Sequence, residues 1–298
     1  MEKKIFNEKI KEIIENNVTP EAKVHLQRVR KNNNVYLDSI VIQMPDTNIS
    51  PTIYLDAFYE MYENGVELEE VAMRVLAAYY HGRPAKTLCV DFFKDFDKVK
   101  KRIVYRLINA EKNKELLEEI PHILFQDLAI CFYYAFHDEQ LGDGSITIYN
   151  KHMEWWGTNH QELLRLAREN TPKLFPKEYK SLKAVIDELG KENPYYTCEE
   201  MCHLYVLTNR QKTMGAACIL YDGVLEEIAE RMGGNFYILP SSIHEVIVLE
   251  VNVEETPQSL HQMIKEVNRM HLMREEVLSD YPYYYNSETK KLICLNQF

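Results

Sequence analysis

Residues 204–251 are the longest run in which the pattern of apolar and polar positions agrees with every other local signal. Short runs rich in β-branched and aromatic residues predict strands there, and turn-forming residues separate them. Between the second and third runs, apolar residues recur at helical spacing and end at a glycine pair, which predicts a helix. The predicted strands are residues 204–208, 216–221, 236–239 and 243–251. The pattern therefore indicates a ββαββ unit, an antiparallel sheet with one helix packed on it.

Helical spacing dominates the first 120 residues. An amphipathic helix is predicted near the N-terminus, followed by a β-hairpin that turns at the asparagines of residues 32–34 and by two further helices. The apolar positions 92, 96, 99, 103, 107 and 110 then advance by three or four residues at a time. This spacing predicts one long amphipathic helix from about residue 90 to about residue 119.

Beyond this predicted long helix the period of the pattern changes. Residues 123–136 are apolar on both faces and predict a central strand, with residues 145–149 pairing back beside it. Thr158 with Gln161 predicts a capping box at the start of a helix. Later segments predict a helix that starts near Pro257 and a C-terminal hairpin.

The order of these elements indicates an α+β fold, with a helical N-terminal half that includes a β-hairpin, followed by antiparallel sheets. Residues 1–120 are predicted to form a mainly helical lobe with that hairpin, and residues 121–298 an α+β lobe built on the ββαββ unit. One continuous domain is the alternative. A chain of 298 residues with 46% hydrophobic composition can bury a sizeable core in either arrangement.

Charge and composition narrow the classes of function. A net charge of -11 and a pI near 5.5 argue against a protein that binds duplex nucleic acid, which needs a basic face. No apolar run reaches the roughly 18 residues of a membrane span, and the charged N-terminus lacks the apolar core of a signal peptide. The six cysteines mostly lie in apolar runs, as core thiols of a reducing compartment do. We therefore expect a soluble, cytoplasmic protein.

The first candidates for chemistry are Ser241, Ser242, His244 and Glu245. A hydroxyl, an imidazole and a carboxylate are the components of an activated nucleophile. On an extended chain, however, Ser242 and His244 share a face while Glu245 points to the opposite one, so Glu245 cannot orient the imidazole. The other interpretation is a turn whose serine hydroxyls satisfy backbone groups. This interpretation assigns no catalytic residue.

Basic residues form a second candidate site. The lysines and arginines of residues 98–114 would lie on the outer face of the predicted long helix, and they are the densest positive group in an acidic protein. Such a face can be solvated and pair with carboxylates elsewhere, or it can contact an anion or an acidic partner. The candidates for binding are Lys98, Lys101, Arg102 and Arg106.

The sequence lacks the familiar metal and nucleotide motifs. Cys198, Cys202 and His203 have no second ligand pair at the spacing of a structural zinc site. There is no Gly-x-Gly-x-x-Gly, no Walker phosphate loop and no EF-hand loop, and the many carboxylate pairs lie outside such motifs. We therefore expect neither a metal nor a cofactor.

Several stretches resemble a single protein family. They include the motif LPSSIHEVI at residues 239–247 and the motif EVLSD at residues 276–280, together with residues 48–55, 96–109, 205–209 and 215–221. The similarity covers nearly the whole chain, and the family is an uncharacterised one of bacterial proteins described only as a domain of unknown function. The resemblance implies a cytosolic protein, a place among the accessory genes of mobile elements, and no assigned activity.

Three hypotheses about function follow. The first is a non-catalytic interaction or regulatory protein whose partner is another protein. Adjacent tyrosines at residues 133–134 and 283–285 would point to opposite faces of a strand, so some must reach either a second packed layer or the surface, where aromatics are enriched at interfaces. The second is a small hydrolase or transferase that uses Ser242 and His244 with a distant acid, Asp127 or Asp222. The third is an anion or RNA contact through the basic residues 98–114.

Overall fold

The computed structural model describes residues 1–45, 47–83, 91–138, 142–188, 203–251 and 255–296. The chain divides into two compact units. The first comprises Met1–Phe92 and His137–Gly144, and the second comprises Phe93–Phe136 and Ser145–Phe298. The boundary expected near residue 120 therefore falls within the second unit.

The first unit contains a three-stranded antiparallel sheet packed against helices. Its elements are α1 (Lys3–Asn17), β1 (Lys23–Arg30), β2 (Tyr36–Gln43), β3 (Thr52–Tyr54), α2 (Asp56–Glu63) and α3 (Leu68–Gly82). The strands follow the order β1-β2-β3, and Val24 of β1 lies opposite Ile42 of β2. Both side chains pack with Phe6 of α1 in one core. The N-terminal helix and the hairpin that turns at Asn32–Asn34 are thereby confirmed.

Two more antiparallel sheets follow, and they confirm the α+β class. The first has the strand order β4-β6-β5, with β7 also paired to β6, and the second has the order β13-β12-β10-β11-β9-β8. The elements up to the second sheet are α4 (Phe96–Val99), β4 (Ile103–Asn109), α5 (Lys114–Glu119), β5 (His122–Phe125), β6 (Leu128–Asp138), β7 (Gly142–Thr147), α6 (Asn150–Trp156) and α7 (His160–Leu174). The remaining elements are β8 (Lys177–Ser181), α8 (Leu182–Glu188), β9 (Leu204–Asn209), α9 (Val224–Met232), β10 (Phe236–Leu239), β11 (Val246–Glu250), α10 (Pro257–His271), β12 (Tyr283–Asn286) and β13 (Lys291–Cys294).

The prediction of one long helix over residues 90–119 is wrong. The segment contains the short helix α4, a 3-10 turn at Lys100–Arg102, the strand β4 and the helix α5. In β4, six of the seven residues are buried, so both faces of the strand are covered. The run of β-branched and aromatic residues favours a strand, and pairing with β6 satisfies its backbone. The helical spacing arose because an apolar strand covered on both faces also has apolar residues three and four positions apart.

The prediction of the second strand in the ββαββ unit is also wrong. Gly215–Leu220 forms a 3-10 helix, whereas the other three strands and the helix α9 are present. The predicted hairpin partner, β9, is already flanked by β11 on one side and β8 on the other. No free edge of β9 remains for another strand, so the buried apolar segment folds over the sheet as a tight turn instead.

Two smaller differences concern turns and caps. The apolar run of residues 123–136 is a hairpin of β5 and β6, because Gln126 adopts a left-handed backbone conformation with φ of 58° and reverses the chain. Helix α7 is capped by Asn159, whose side chain accepts a hydrogen bond from the N–H of Glu162, rather than by Thr158. The first difference divides one predicted strand into two, and the second moves the cap by one residue.

The cysteines that the structure describes lie in the core. Cys131, Cys218 and Cys294 are buried and free, as expected for small core residues. Cys89, Cys198 and Cys202 lie outside the described residues, whereas His203 is described, and its Nδ1 lies 3.2 Å from Oε2 of Glu250. Within the described ranges, no helix is both long and apolar enough to cross a membrane.

Candidate functional site

The chain bends between β10 and β11, where the sequence places its candidate nucleophiles. Ser242 is buried, with 2% of its surface exposed, and its Oγ accepts a hydrogen bond from the backbone N–H of His244 at 3.0 Å. Binding the backbone two residues ahead is a common way for serine to stabilise a turn. The carbonyl of Ser241 accepts a hydrogen bond from the N–H of Leu278 at 2.7 Å. Both serines therefore hold this bend in place.

Glu245 does not point away from Ser242, as an extended chain would require. Because the backbone bends at residues 243–244, the Glu245 carboxyl group lies near the Ser242 side chain. Burial raises the pKa of Glu245 above its ordinary value, and the neighbouring His244 and Ser242 side chains oppose this increase. The serine hydroxyl is thus engaged by a backbone N–H and not by the imidazole.

The imidazole of His244 has a protein partner at each nitrogen. Its Nδ1 accepts a hydrogen bond from the N–H of Met214 at 3.4 Å, and its Nε2 lies 3.7 Å from Oε1 of Glu276. In the neutral ring this arrangement places the proton on Nε2, towards the carboxylate. A general base must instead present a free nitrogen to the hydroxyl that it deprotonates. The sequence did not point to Met214 or Glu276 as partners of His244.

The segments LPSSIHEVI and EVLSD are bound to each other. Ser242 and Val277 form an antiparallel bridge. Backbone hydrogen bonds of 2.7 to 2.9 Å flank this bridge and join Ile243 to Glu276, Leu278 to Ser241, and Ser279 to Pro240. The residues between the motifs include the whole of α10, so no local pattern could have revealed the pairing. LPSSIHEVI and EVLSD are therefore two halves of one structural feature.

A third segment closes against this feature at Gly215. A Cβ atom there would lie 2.2 Å from Oγ1 of Thr208, 2.5 Å from the carbonyl oxygen of His244 and 2.7 Å from the backbone nitrogen of Asn209. Only glycine fits such a close approach of backbone to backbone. Oγ1 of Thr208 also donates a hydrogen bond to the His244 carbonyl at 2.8 Å. The backbone of His244 is thus held by β9 and by the start of the 3-10 helix.

Asp127, one of the two distant acids considered for catalysis, binds other partners. Its Oδ2 accepts a hydrogen bond from the hydroxyl of Ser279 at 2.6 Å, and its Oδ1 accepts one from the hydroxyl of Tyr283. Burial raises the pKa of Tyr283 well above its ordinary value, and the charge of Asp127 raises it further. The second acid, Asp222, is exposed and pairs with Arg168 at 3.2 Å. The acid beside His244 is Glu276.

Gln126, next to Asp127, binds the edge of the six-stranded sheet. Its Nε2 donates a hydrogen bond to the carbonyl of Leu292 at 3.1 Å, and its Oε1 accepts one from the N–H of Cys294 at 3.3 Å. Both groups belong to β13, which is the last strand in the order of its sheet. The side-chain amide therefore takes the place of a neighbouring strand over this short length.

The basic candidates lie on three different elements. Lys98 is in α4 and pairs with Asp95 at 3.2 Å. Lys101 is exposed in the 3-10 turn, where Arg102 donates a hydrogen bond to a carbonyl of β6 at 2.5 Å. Arg106 is in β4, with its guanidinium over an aromatic ring. They share no helix face, and binding of an anion by these residues stays a prediction.

An open groove of about 550 Å³ lies beside α5 and α6. Its size falls within the range of small-ligand sites, roughly 300 to 1,000 Å³. The lining combines apolar side chains with carboxylates and imidazoles: Leu117, Ile120, Met153, Glu118, Glu154, His122 and His160. Across the ranges that the structure describes, no group of three or more His, Cys, Asp or Glu could hold a metal ion. The lining of the groove therefore mixes apolar, acidic and imidazole groups.

Comparison with known proteins bears on identity but not on activity. No curated protein and no solved structure matches the chain significantly. The model of a family of unknown function, DUF5688, matches residues 3–287 and so covers nearly the whole chain. The chain therefore belongs to the DUF5688 family, a family of unknown function.

Proposed function

We propose that the protein is a non-catalytic interaction or regulatory protein of the bacterial cytoplasm, with another protein as its partner. The observation that supports this most is the engagement of His244, whose Nδ1 accepts the Met214 N–H and whose Nε2 faces Glu276. The hydroxyl that a hydrolase would need, on Ser242, is buried and bonded within the same bend. A bacterial source and an accessory role in a mobile element belong to the proposal and rest on the family resemblance alone.

The groove beside α5 and α6 supports a role in recognition. Its apolar residues can receive a side chain of a partner, and Glu118 and Glu154 favour a partner with a basic group next to that side chain. Convergence of apolar and a few polar groups in one concave surface is typical of binding sites. The proposal therefore assigns function to surfaces rather than to the serine and imidazole.

A serine-directed probe tests the non-catalytic part of the proposal. The full-length protein is incubated with a fluorophosphonate, and modified residues are mapped by mass spectrometry, with Ser242→Ala as the background control. We expect no adduct on Ser242, because its hydroxyl is buried and no imidazole nitrogen is free to deprotonate it. A stoichiometric adduct on Ser242 that disappears in His244→Asn would refute the proposal and favour a hydrolase.

A further inference from the structure

The strand β5 (His122–Phe125) forms one edge of its sheet. It is the last strand in the order β4-β6-β5, so no other strand of the described residues pairs with its outer side. Its four residues are a histidine, an isoleucine, a leucine and a phenylalanine, without a carboxylate, lysine, arginine or proline. The side chain of Leu124 is 66% exposed. An apolar edge of this kind readily accepts the backbone of another chain.

The backbone of β5 presents donors and acceptors on that outer side. The two-residue turn Gln126–Asp127 connects β5 to β6 and places Phe125 opposite Leu128. In such a hairpin the pair that closes the turn is hydrogen-bonded, and hydrogen-bonded pairs alternate along the strands with pairs that are not. The N–H and C=O groups of His122 and Leu124 therefore point away from β6. Apart from strand pairing, these groups form no hydrogen bond with a described residue.

Two other edge strands of the second unit are protected against such pairing. The backbone of β13 is bound by the side chain of Gln126. The strand β8 carries the charged residues Lys177, Glu178 and Lys180. Covered or charged edges discourage pairing with another chain. Since β5 has neither form of protection, its edge is the one suited to receive a partner.

The groove beside α5 and α6 adjoins the edge of β5. His122 lines the groove, and its side chain lies on the same face of the sheet as that of Leu124, because residues two apart in a strand share a face. On this face Cys131, opposite His122, packs with Leu117 and Ile120, which are apolar residues of the groove. A side chain of an added strand that lies beside His122 on this face is therefore directed towards the groove.

The charges of the groove favour a basic partner. Glu118 and Glu154 line it, and neither side chain forms an ion pair or hydrogen bond with a described residue. The lysines of the same two helices are engaged elsewhere, because Lys114 forms an ion pair at 2.6 Å and the ammonium of Lys151 lies 5.7 Å from the ring centre of a tyrosine. A basic segment complements the two carboxylates, whereas a second copy of this chain, with its net charge of -11, is repelled.

We propose that an extended segment of another protein pairs with β5 as an added strand. The segment carries an apolar side chain for the groove and a lysine or arginine for Glu118 and Glu154. In complexes of this kind the backbone hydrogen bonds supply affinity, and pockets for alternate side chains supply specificity. This inference rests on the proposed role of the groove in recognition and specifies how the partner binds there.

The shortness of β5 also has a structural explanation. A strand of four residues offers little length for pairing, and short edge strands are one of the ways in which proteins avoid aggregation. On that explanation Leu124 and the two carboxylates are only solvated, and the edge binds no peptide. The two explanations therefore differ in what they predict for changes to the backbone of β5.

Fluorescence anisotropy tests the inference with the full-length protein and a fluorescein-labelled hexapeptide that alternates lysine and valine. A hexapeptide that alternates glutamate and valine is one competitor, and a fully N-methylated version of the lysine–valine peptide is the other. We expect the lysine–valine peptide to bind and the glutamate peptide not to compete. The N-methylated peptide should compete on the order of tenfold more weakly or worse, because it cannot donate backbone hydrogen bonds to β5.

Variants of Leu124 test the backbone of β5 on the protein side. Leu124→Pro removes an outward N–H and leaves the pairing with β6 in place, because an edge strand tolerates proline where its N–H faces solvent. It should weaken binding on the order of tenfold or more. Leu124→Thr keeps the N–H and changes only the side chain, so the affinity should fall by less than about fivefold. Thermal unfolding of both variants checks that they are folded.

A charge variant tests the choice of a basic partner. Glu118→Gln/Glu154→Gln should weaken binding of the lysine–valine peptide between about twofold and 25-fold, as expected for the loss of two exposed ion pairs. The matched control is Glu8→Gln/Glu12→Gln, which removes the same charge from exposed positions of α1 and should leave the affinity unchanged. An equal loss in the control would overturn the assignment of the basic group to the groove.

Several results would overturn strand addition. They are no binding of the lysine–valine peptide to the wild type, equal competition by either competitor, and full affinity in Leu124→Pro. A dimer of the free protein that Leu124→Pro dissociates in sedimentation equilibrium also overturns the inference, because a second copy would then occupy the edge. Binding that survives Leu124→Pro but is lost in the Glu118/Glu154 variant refutes strand addition and still supports the groove as a recognition site. The non-catalytic proposal is tested separately at Ser242.

Discussion

Asp127 accepts a hydrogen bond from the hydroxyl of Tyr283, 156 residues further along the chain. Tyr283 has no exposed surface, so the protein rather than water satisfies its hydroxyl. Through Tyr283 and Ser279 the turn between β5 and β6 is tied to β12 and to the EVLSD segment. The bond thus joins two sheets of the second unit at a buried point.

Tyr283→Phe should lower the free energy of unfolding by about 1.5 to 3 kcal/mol, the usual contribution of a hydrogen bond to a charged group. Tyr285→Phe is the matched control on the same strand, because the hydroxyl of Tyr285 is buried and has no hydrogen-bond partner among the described residues. Its removal should be neutral or stabilising. Urea denaturation of both variants measures the difference, and equal losses would show that the Asp127 bond contributes nothing specific.

Gly215→Ala should destabilise the protein by about 1 to 3 kcal/mol or more, because the new methyl group would overlap backbone atoms of His244 and Asn209. Gly82→Ala is the control, since the added atom there meets only an ordinary contact with Pro51 at 3.5 Å within a helix. We expect that change to be neutral or slightly stabilising. Thermal unfolding compares the two, and a harmless Gly215→Ala would contradict the packing described around His244.

Glu245 should make stability depend on pH. Burial raises its pKa above the ordinary value of 4.5, so the folded protein holds this proton more tightly than the unfolded chain does. Its stabilising contribution is complete below the ordinary pKa and is lost as the pH rises through the raised one. Glu245→Gln cannot ionise and should gain stability relative to the wild type as the pH rises from the ordinary pKa of 4.5 through the raised one. Urea denaturation at each pH gives this difference.

The exposed Glu230→Gln on α9 controls for the loss of one charge in that series. A difference between Glu245→Gln and the wild type that stays constant with pH, or that shrinks as the pH rises, would mean that Glu245 is not buried as described.

The buried thiols should resist alkylation. Burial raises the pKa of Cys131 and of Cys218 to about 12, and only the thiolate reacts with iodoacetamide. We expect neither residue to be modified in the native protein near pH 8, and both to be modified in denaturant. Peptide mass mapping measures the alkylation of each cysteine with and without denaturant. Rapid labelling of Cys218 without denaturant would indicate that the core opens around the 3-10 helix.

Elements with their own local signals could be predicted from the sequence. Helix α10 begins at Pro257 after the cap Thr256, and the hairpin of β12 and β13 follows its turn residues. Each depends on caps, turns and periodicity within a few residues. The predictions failed where the outcome depends on a distant partner. Residues 103–109 are a strand because β6 pairs with them.

In the candidate site, too, the sequence indicates features with local signals but not those that depend on distant segments. Ser242 and His244 could be singled out by residue type, and the sequence also allows the interpretation that the serines stabilise a turn. Glu276 and Met214, which occupy the imidazole, could not be found because they reach it through a bridge between distant segments. The EVLSD motif could be recognised in the sequence, but its composition does not indicate that it pairs with the segment around Ser242.

Gln126 has a consequence for association between molecules. A strand at the rim of a sheet is a template on which a foreign chain can grow, because its unpaired amides and carbonyls recruit another backbone. The Gln126 amide binds the carbonyl of Leu292 and the N–H of Cys294, so these two backbone groups at the edge of the six-stranded sheet are already satisfied. The side chain of Gln126 therefore disfavours the pairing of another molecule's strand with β13.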